Sequence, residues 1–516
     1  MYRQTSPGQL SFENFYLPFG GKLSGENRWV KLAEMIPWEE FESSYAAHFA
    51  PSHGAPAKSF RMALGALIIK ERLGVTDEET VEQVRENPYL QYFLGLSEYR
   101  DQPPFEASMM THFRRRLSLE VINQVNEAVV QRVLLEDTPA GERLESDGGS
   151  TPEQGVSVGT EASNEASAEN APEENPPNQG QLLLDATVAP ADIHYPTDLH
   201  LLNQARASSE RILDQLWETV RQPGQRKPRT YRQQARRNFL KVAKKRRPSR
   251  RQIRKAIGQQ LRYLRRNLEQ IRQLVAAGAG LGVLSGFWYQ RLLVIQEVYR
   301  QQLLMYTQRQ HRVDHRIVSL AQPHVRPIVR GKAGTPVEFG AKLAISSVAG
   351  FCFIDHLDWD AFNEALDLPQ QVEAYKARFG VYPESVHADQ IYRTRANRQW
   401  CKDRGIRLSG PPLGRPPTGA KPELDQQARL DARIRNAIEG KFGQGKRRFS
   451  LARVMAKLPH TAATSIAITI LVMNLERRLR PLFYFCLAAI CSVTALVSLF
   501  LRPMRTVEAP DRKSVV

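Results

Sequence analysis

The chain has 516 residues, 42% hydrophobic and 24% charged, with a formal net charge of +18. That length can bury several cores, and so large a cationic surplus favours an anionic polymer or anionic surface as partner. The four cysteines, Cys352, Cys401, Cys486 and Cys491, form no Cys-x-x-Cys pair, which excludes a zinc ribbon and a disulfide framework; the first twenty residues lack the apolar core of a signal peptide, so a cytoplasmic location is expected.

Residues 1–137 carry helical periodicity. "SFRMALGALIIKERLG" should stop at Gly74, and the next helix should start at the cap Thr76, with Glu79 three residues on, and break near Pro88. A helix with Arg114, Arg115 and Arg116 follows. Such a set can dock a basic helix on DNA, or be a plain bundle with a solvated basic face. Residues 138–180 are rich in Ser, Glu, Asn, Pro and Gly, and should form a disordered acidic linker because they bury too little apolar surface to offset chain ordering.

"QLLLDATVAP" then reads as a buried strand bearing Asp185. Residues 200–315 form a basic helical insertion, with eighteen Lys and Arg and no acid between Arg226 and Arg266. Its apolar residues Ile253, Ile257, Leu261, Leu264, Leu268 and Ile271 fall on one face, so an antiparallel helical hairpin is expected. Lys244, Lys245, Arg246 and Arg247 are its densest cations, suited to sequence-indifferent phosphate contacts. Two strands joined at Ala349–Gly350, a helix closed by Gly380, a strand reaching Asp389, a helix ending at Gly405, a short strand and further helix complete the pattern. Residues 181–199 and 316–478 therefore read as α/β, a mixed sheet with flanking helices, beside a separate all-α N-terminal domain. The tail, 479–516, contains twenty uncharged residues from Leu482 to Leu501, long enough as a helix to span a bilayer or else to be a buried C-terminal helix.

Two strands thus end in aspartates, Asp185 and Asp389, and one helix carries Glu439 as the lone acid among seven cations between Arg433 and Val454. Three hard oxygen donors at a sheet edge suit Mg²⁺, and two such ions can activate a nucleophile and stabilise a leaving oxygen in phosphoryl transfer. Asp192, Asp198, Asp355, Asp358 and Asp360 rival them on spacing. On a helix, Arg435, Glu439 and Lys446 share a face. Gly440, Gly443 and Gly445 each cost about 1 kcal/mol against alanine in a helix interior, so either the helix breaks there or something must approach its backbone closely.

The segments "LLLDATVAP", "VHADQIYRT" and "RNAIEGKFGQGKRRFSLARVMAKLPHTAATSIAITILVMNL" resemble the DDE transposases of bacterial insertion sequences, specifically insertion-sequence family five. The terminal signature of that family, Tyr, two residues, Arg, three residues, Glu, six residues, Lys, is matched at Arg435, Glu439 and Lys446, with Ala432 in place of the Tyr. "MALGALIIKERLG" and "FRRRL" resemble its N-terminal region. The resemblance implies a ribonuclease-H-like catalytic core in which Asp185, Asp389 and Glu439 bind two Mg²⁺ ions, or Mn²⁺. It implies that Arg435 and Lys446 contact the element's end. Partners would be double-stranded DNA with terminal inverted repeats and target DNA, handled by a homodimer at the nucleoid. The alternative is a catalytically decayed DNA-binding protein that still recognises element ends. His387 would share a strand face with Asp389 and is expected to be a structural neighbour.

Overall fold

The computed structural model describes residues 11–18, 20–50, 53–54, 56–136, 177–330, 336–411 and 421–500, with side chains in α-helix and strand omitted at 135–136, 421–422, 424–425 and 480–500. The acidic linker up to residue 176, and the side chains of the apolar tail, lie outside that description. Among the described residues, no helix is long and apolar enough to cross a membrane.

Seven helices come first: α1 (Arg28–Met35), α2 (Trp38–Ala46), α3 (Phe60–Leu73), α4 (Asp77–Glu86), α5 (Pro88–Phe93), α6 (Met109–Arg116) and α7 (Leu119–Glu136). Their starts follow from short polar side chains that accept hydrogen bonds from otherwise orphaned first-turn N–H groups. Ser59 caps α3, Thr76 accepts from the Glu79 N–H at the start of α4, and Asn87 caps α5 with Pro88 just inside it. Gly74 ends α3 at φ 70°, a left-handed backbone that side-chain-bearing residues avoid.

The sheet contains β1 (Gln181–Pro190), β2 (Arg326–Val329), β3 (Val337–Val348), β4 (Phe351–Asp358), β5 (Ser385–Ala388) and β6 (Arg407–Leu408). Its order is β2-β3-β1-β5-β6, with β4 also pairing β3. The β2, β3, β4 and β1 pairings are antiparallel, whereas β1–β5 and β5–β6 are parallel. This mixed topology is consistent with the ribonuclease-H-like core that the resemblance implies. β2 escaped the sequence reading because four residues with a proline give too short a pattern. Helices α12 (Leu368–Phe379) and α13 (Arg395–Lys402) connect the later strands, and α14 (Lys421–Arg448) and α15 (Pro459–Phe500) follow.

The insertion corrects the expected hairpin. It comprises four helices, α8 (Asp198–Val220), α9 (Arg232–Ala243), α10 (Arg250–Ala276) and α11 (Gly286–Gln308). Pro223, Gly224 and Pro228 interrupt it once, and Pro248 with the capping Ser249 interrupts it again. Leu202, Leu213, Leu264, Ile271, Ile295 and Val298 join α8, α10 and α11 in a core of their own.

The separate N-terminal domain is also corrected. Phe60, Leu64, Ile68, Phe113 and Val125 belong to one continuous core with Ile345 and Ile354 of the sheet and with Ile466, Ile470 and Leu471 of α15. Polar contacts reinforce the junction. The Asn474 side chain accepts from the Cys352 N–H (2.9 Å) and donates to the Cys352 carbonyl (2.8 Å), while Asn126 of α7 donates to that carbonyl at 3.0 Å. One amide thereby pairs the outward backbone of strand β4 as a neighbouring strand would. Glu476 accepts from Arg72 of α3 (2.5 Å) and from Arg448 of α14 (2.9 Å).

The glycines lie inside a continuous helix, α14, so the alternative of a break is set aside. A Cβ on Gly445 would meet Leu451 at 3.0 Å and the Met473 sulfur at 3.1 Å, so this glycine lets α14 approach its neighbours closely. Gly440 faces open space. Gly440→Ala should therefore raise stability by about 1 kcal/mol, and Gly445→Ala should not, as read from denaturant midpoints. Glu476→Ala, which strands the buried Arg72 guanidinium, should cost about 3–5 kcal/mol. Arg448→Ala, which removes a half-exposed partner, should cost about 0–1 kcal/mol in the same assay.

Candidate active site and nucleic-acid interface

The site begins with strand register. In the parallel β1–β5 pair, Leu184 lies opposite Ala388. The next residue on each strand path is an aspartate, so Asp185 and Asp389 emerge side by side. Asp389 then caps a short 3-10 turn, accepting from the Gln390 N–H at 2.8 Å. Asp185 accepts from the Ala186 N–H at 2.8 Å. Burial pushes the Asp185 carboxyl up to about 6, helped by Glu364 and Asp389 and opposed by the Ala186 N–H and Arg435.

Helix α14 supplies the third acid and is fixed to the sheet by Asp431. This buried carboxylate accepts from both terminal nitrogens of Arg407 (3.0 and 3.1 Å) and from Gln427 (3.0 Å). Burial works against ionisation, yet these hydrogen bonds hold the Asp431 carboxyl below its usual range. Its other neighbour is His387, fully buried on β5, with Nδ1 3.6 Å from Asp431 and Nε2 3.1 Å from the Ser385 hydroxyl. Burial lowers the His387 pKa. Its partners are thus Asp431 and Ser385, and not Asp389, with which it was expected to share a strand face.

One helical turn beyond Asp431, Arg435 reaches both remaining acids. Its Nη1 is 3.8 Å from Asp389 Oδ1 and its Nη2 is 3.2 Å from Glu439 Oε1. The three acids are thus drawn to one neighbourhood, with Arg435 interacting with two of them. Their hard oxygen donors suit Mg²⁺ or Mn²⁺. Among the described residues, however, no three His, Cys, Asp or Glu side chains are grouped closely enough to hold an ion together. The donor chemistry fits a divalent cation, and the present spacing is set around a guanidinium.

The rival aspartates have other work. Asp192 pairs with Arg453, Asp198 with Arg316, Asp355 with Arg378, and Asp360 with His315 and Arg326, while Asp358 accepts from the Asp360 N–H. Two neighbours of the site escaped the sequence reading. Glu364, in a 3-10 turn and paired with Lys342 at 2.8 Å, lies close enough to raise Asp185. Asp431 precedes Arg435 by four residues, a same-face spacing that could have exposed it.

The candidate DNA-contacting cations are divided by the structure. Arg114 is committed to Asp77 through two hydrogen bonds (3.1 and 2.5 Å). Arg116 lies over the Phe49 ring, and Arg115 is exposed. Both arginines, with His48, His112 and Ser118, line a basic depression of about 390 Å³. Lys244, Lys245, Arg246 and Arg247 are all exposed in the α9–α10 connection. Lys446 is half-buried on the Arg435–Glu439 side of α14. Three aromatic residues lie among the cations of the insertion: Arg266 sits against the rings of Tyr231 (4.5 Å) and Tyr263 (5.4 Å), and Phe239 is buried.

Residues 386–476 match the family described as Transposase DDE domain, a span that contains Asp389, Arg435, Glu439 and Lys446. Residues 18–116 match the family described as Transposase domain (DUF772), a span that contains α1 to α6. A curated relative, "Uncharacterized protein ORF8 in nfe locus" of Rhizobium meliloti, is 34% identical over 116 residues, 22% of this chain; the chain spans 56% of that relative's length. No solved structure matches. Two separate spans of the chain are thus similar to transposase families, and the second contains Asp389 and Glu439.

Proposed function

We propose that the chain cleaves DNA at the ends of an insertion element and joins those ends to target DNA, within the group of insertion-sequence family five. What supports this reading is that Asp185 and Asp389 directly follow the paired residues Leu184 and Ala388 on adjacent parallel strands, and that Arg435 of α14 bridges Asp389 and Glu439. In the ribonuclease-H-like core, these carboxylates would hold two Mg²⁺ ions, or Mn²⁺. When bound, such ions lower the pKa of a water or hydroxyl and stabilise charge on the leaving oxygen.

The chain's own residues would do the rest. In the first step a water oxygen forms a bond to phosphorus and the bond to the 3′-oxygen breaks, freeing a 3′-hydroxyl. In the second, that hydroxyl attacks a target phosphorus and displaces the target's 3′-oxygen. Both steps are the same displacement, so one set of carboxylates serves both. Lys446 and Arg435 would position phosphates along α14, because a guanidinium fork and an ammonium both pair with phosphate oxygens. The exposed cations at 244–247 would hold flanking duplex, and Arg115 and Arg116 would supply a further contact. Terminal inverted repeats are the expected specific substrate, and two ends brought together call for a homodimer.

Cleavage of end-bearing duplex in Mg²⁺ tests the assignment. Asp389→Ala should retain duplex binding and reduce cleavage to background; cleavage equal to the wild type would overturn the reading. The clamp has its own measure. Removing one cation that pairs with a phosphate lowers the slope of log affinity against log salt by about 0.9. Changing Lys244, Lys245, Arg246 and Arg247 together to Gln should flatten that slope by up to about 3.6, and an unchanged slope would remove this loop from the interface.

A further inference from the structure

We propose that Arg435 is a latch on the metal-binding acids: its guanidinium stands in for a cation between Asp389 and Glu439, and a DNA phosphate draws it away. DNA binding and divalent-ion binding would then reinforce each other. The inference rests on the reading of Asp185, Asp389 and Glu439 as the divalent-ion site.

Geometry supplies the first argument. A single guanidinium contacts both acids, at 3.8 and 3.2 Å, while no three donors among the described residues are grouped to hold an ion. Positive charge between the acids offsets their mutual repulsion, so they are held in place while set apart from one another. Arg435 cannot end the contact by losing its proton. It can leave only by exchanging partners, and a phosphate offers its planar fork an equivalent bidentate partner.

Exposure supplies the second argument. Asp389 and Glu439 are more than half exposed, at 58% and 53% of their side-chain surface, and Arg435 is 24% exposed. Pairs this wet are weakly held, so one phosphate suffices to compete. The helix itself need not move. Asp431, near the middle of α14, is tied to Arg407, and the side chain of Ile438 is fully buried in the core. Only the side chain of Arg435 has to swing. Once it does, Asp389 and Glu439 are released to bind a cation, and by linkage any gain that DNA confers on ion affinity is returned as an equal gain in DNA affinity.

Mn²⁺ binding to the full-length chain, followed by electron paramagnetic resonance, tests the latch without relying on activity. Without DNA, Arg435→Gln should bind Mn²⁺ about tenfold more tightly than the wild type, and Arg435→Lys, which keeps the charge but loses the fork, should shift in the same direction by less. Arg433→Gln removes an equal charge from another face of α14 and should match the wild type. Saturating the wild type with a double-stranded oligonucleotide, after subtraction of Mn²⁺ held by the oligonucleotide alone, should reproduce the gain of Arg435→Gln, and the variant should gain little more. Asp389→Asn should lose the ion in every background. Equal affinity of wild type and Arg435→Gln, or an equal gain in Arg433→Gln, overturns the latch while the Asp389-dependent site stands. Absence of any Asp389-dependent Mn²⁺, with or without DNA, overturns the latch together with the reading beneath it.

Discussion

The parallel pairing of β1 with β5 is the constraint on which the site depends. It sets Leu184 opposite Ala388, and the two aspartates that follow can only emerge together. A one-residue slip would turn one carboxylate to the opposite face of the sheet. The register is protected by burial on both strands: Leu182, Leu184, Val386 and Ala388 are all fully buried in one cluster. The same burial raises the proton affinity of Asp185, so the packing that aligns the acids also leaves negative charge short of solvent.

The second fixed point is the Asp431–Arg407 contact. It joins α14 to the last strand of the sheet and so determines where Arg435 and Glu439 fall. Ile438, two turns after Asp431 on the same side of that helix, is buried in the core, and Gly445 allows the end of α14 to close on Met473. The exposed acids therefore stand on a rigid base, with freedom confined to side chains. That division suits chemistry in which phosphate positions must be held while charges are exchanged.

Much of this was legible in the sequence, for local reasons. Thr76, Pro88, Gly74 and Gly380 mark helix boundaries through capping and backbone conformation, and Ala349–Gly350 marks a hairpin. The strand bearing Asp185 was expected to end there, but β1 continues to Pro190 and leaves Asp185 in its middle, whereas β5 does stop at Ala388, just before Asp389. What escaped depends on contacts distant in sequence. That α1 to α7 share a core with α15 leaves no periodic trace, since an apolar helix face does not say what covers it. The insertion's division into four helices follows from prolines at 223, 228 and 248, which break the apolar periodicity inside a cationic run. The resemblance singled out Arg435, whereas its pairing with Asp389 needed the folded chain.

The joining of Arg72 to Glu476 spans 404 positions of sequence. At a synthesis rate of about 5–20 residues per second, the early helices wait on the order of 20–80 s before the strand of polypeptide that completes their packing leaves the ribosome. Through that interval α3 can pack on its neighbours in the N-terminal region, but its contact with α15 is missing. The last helix to be made is therefore the one that completes the core shared by α3 and the sheet.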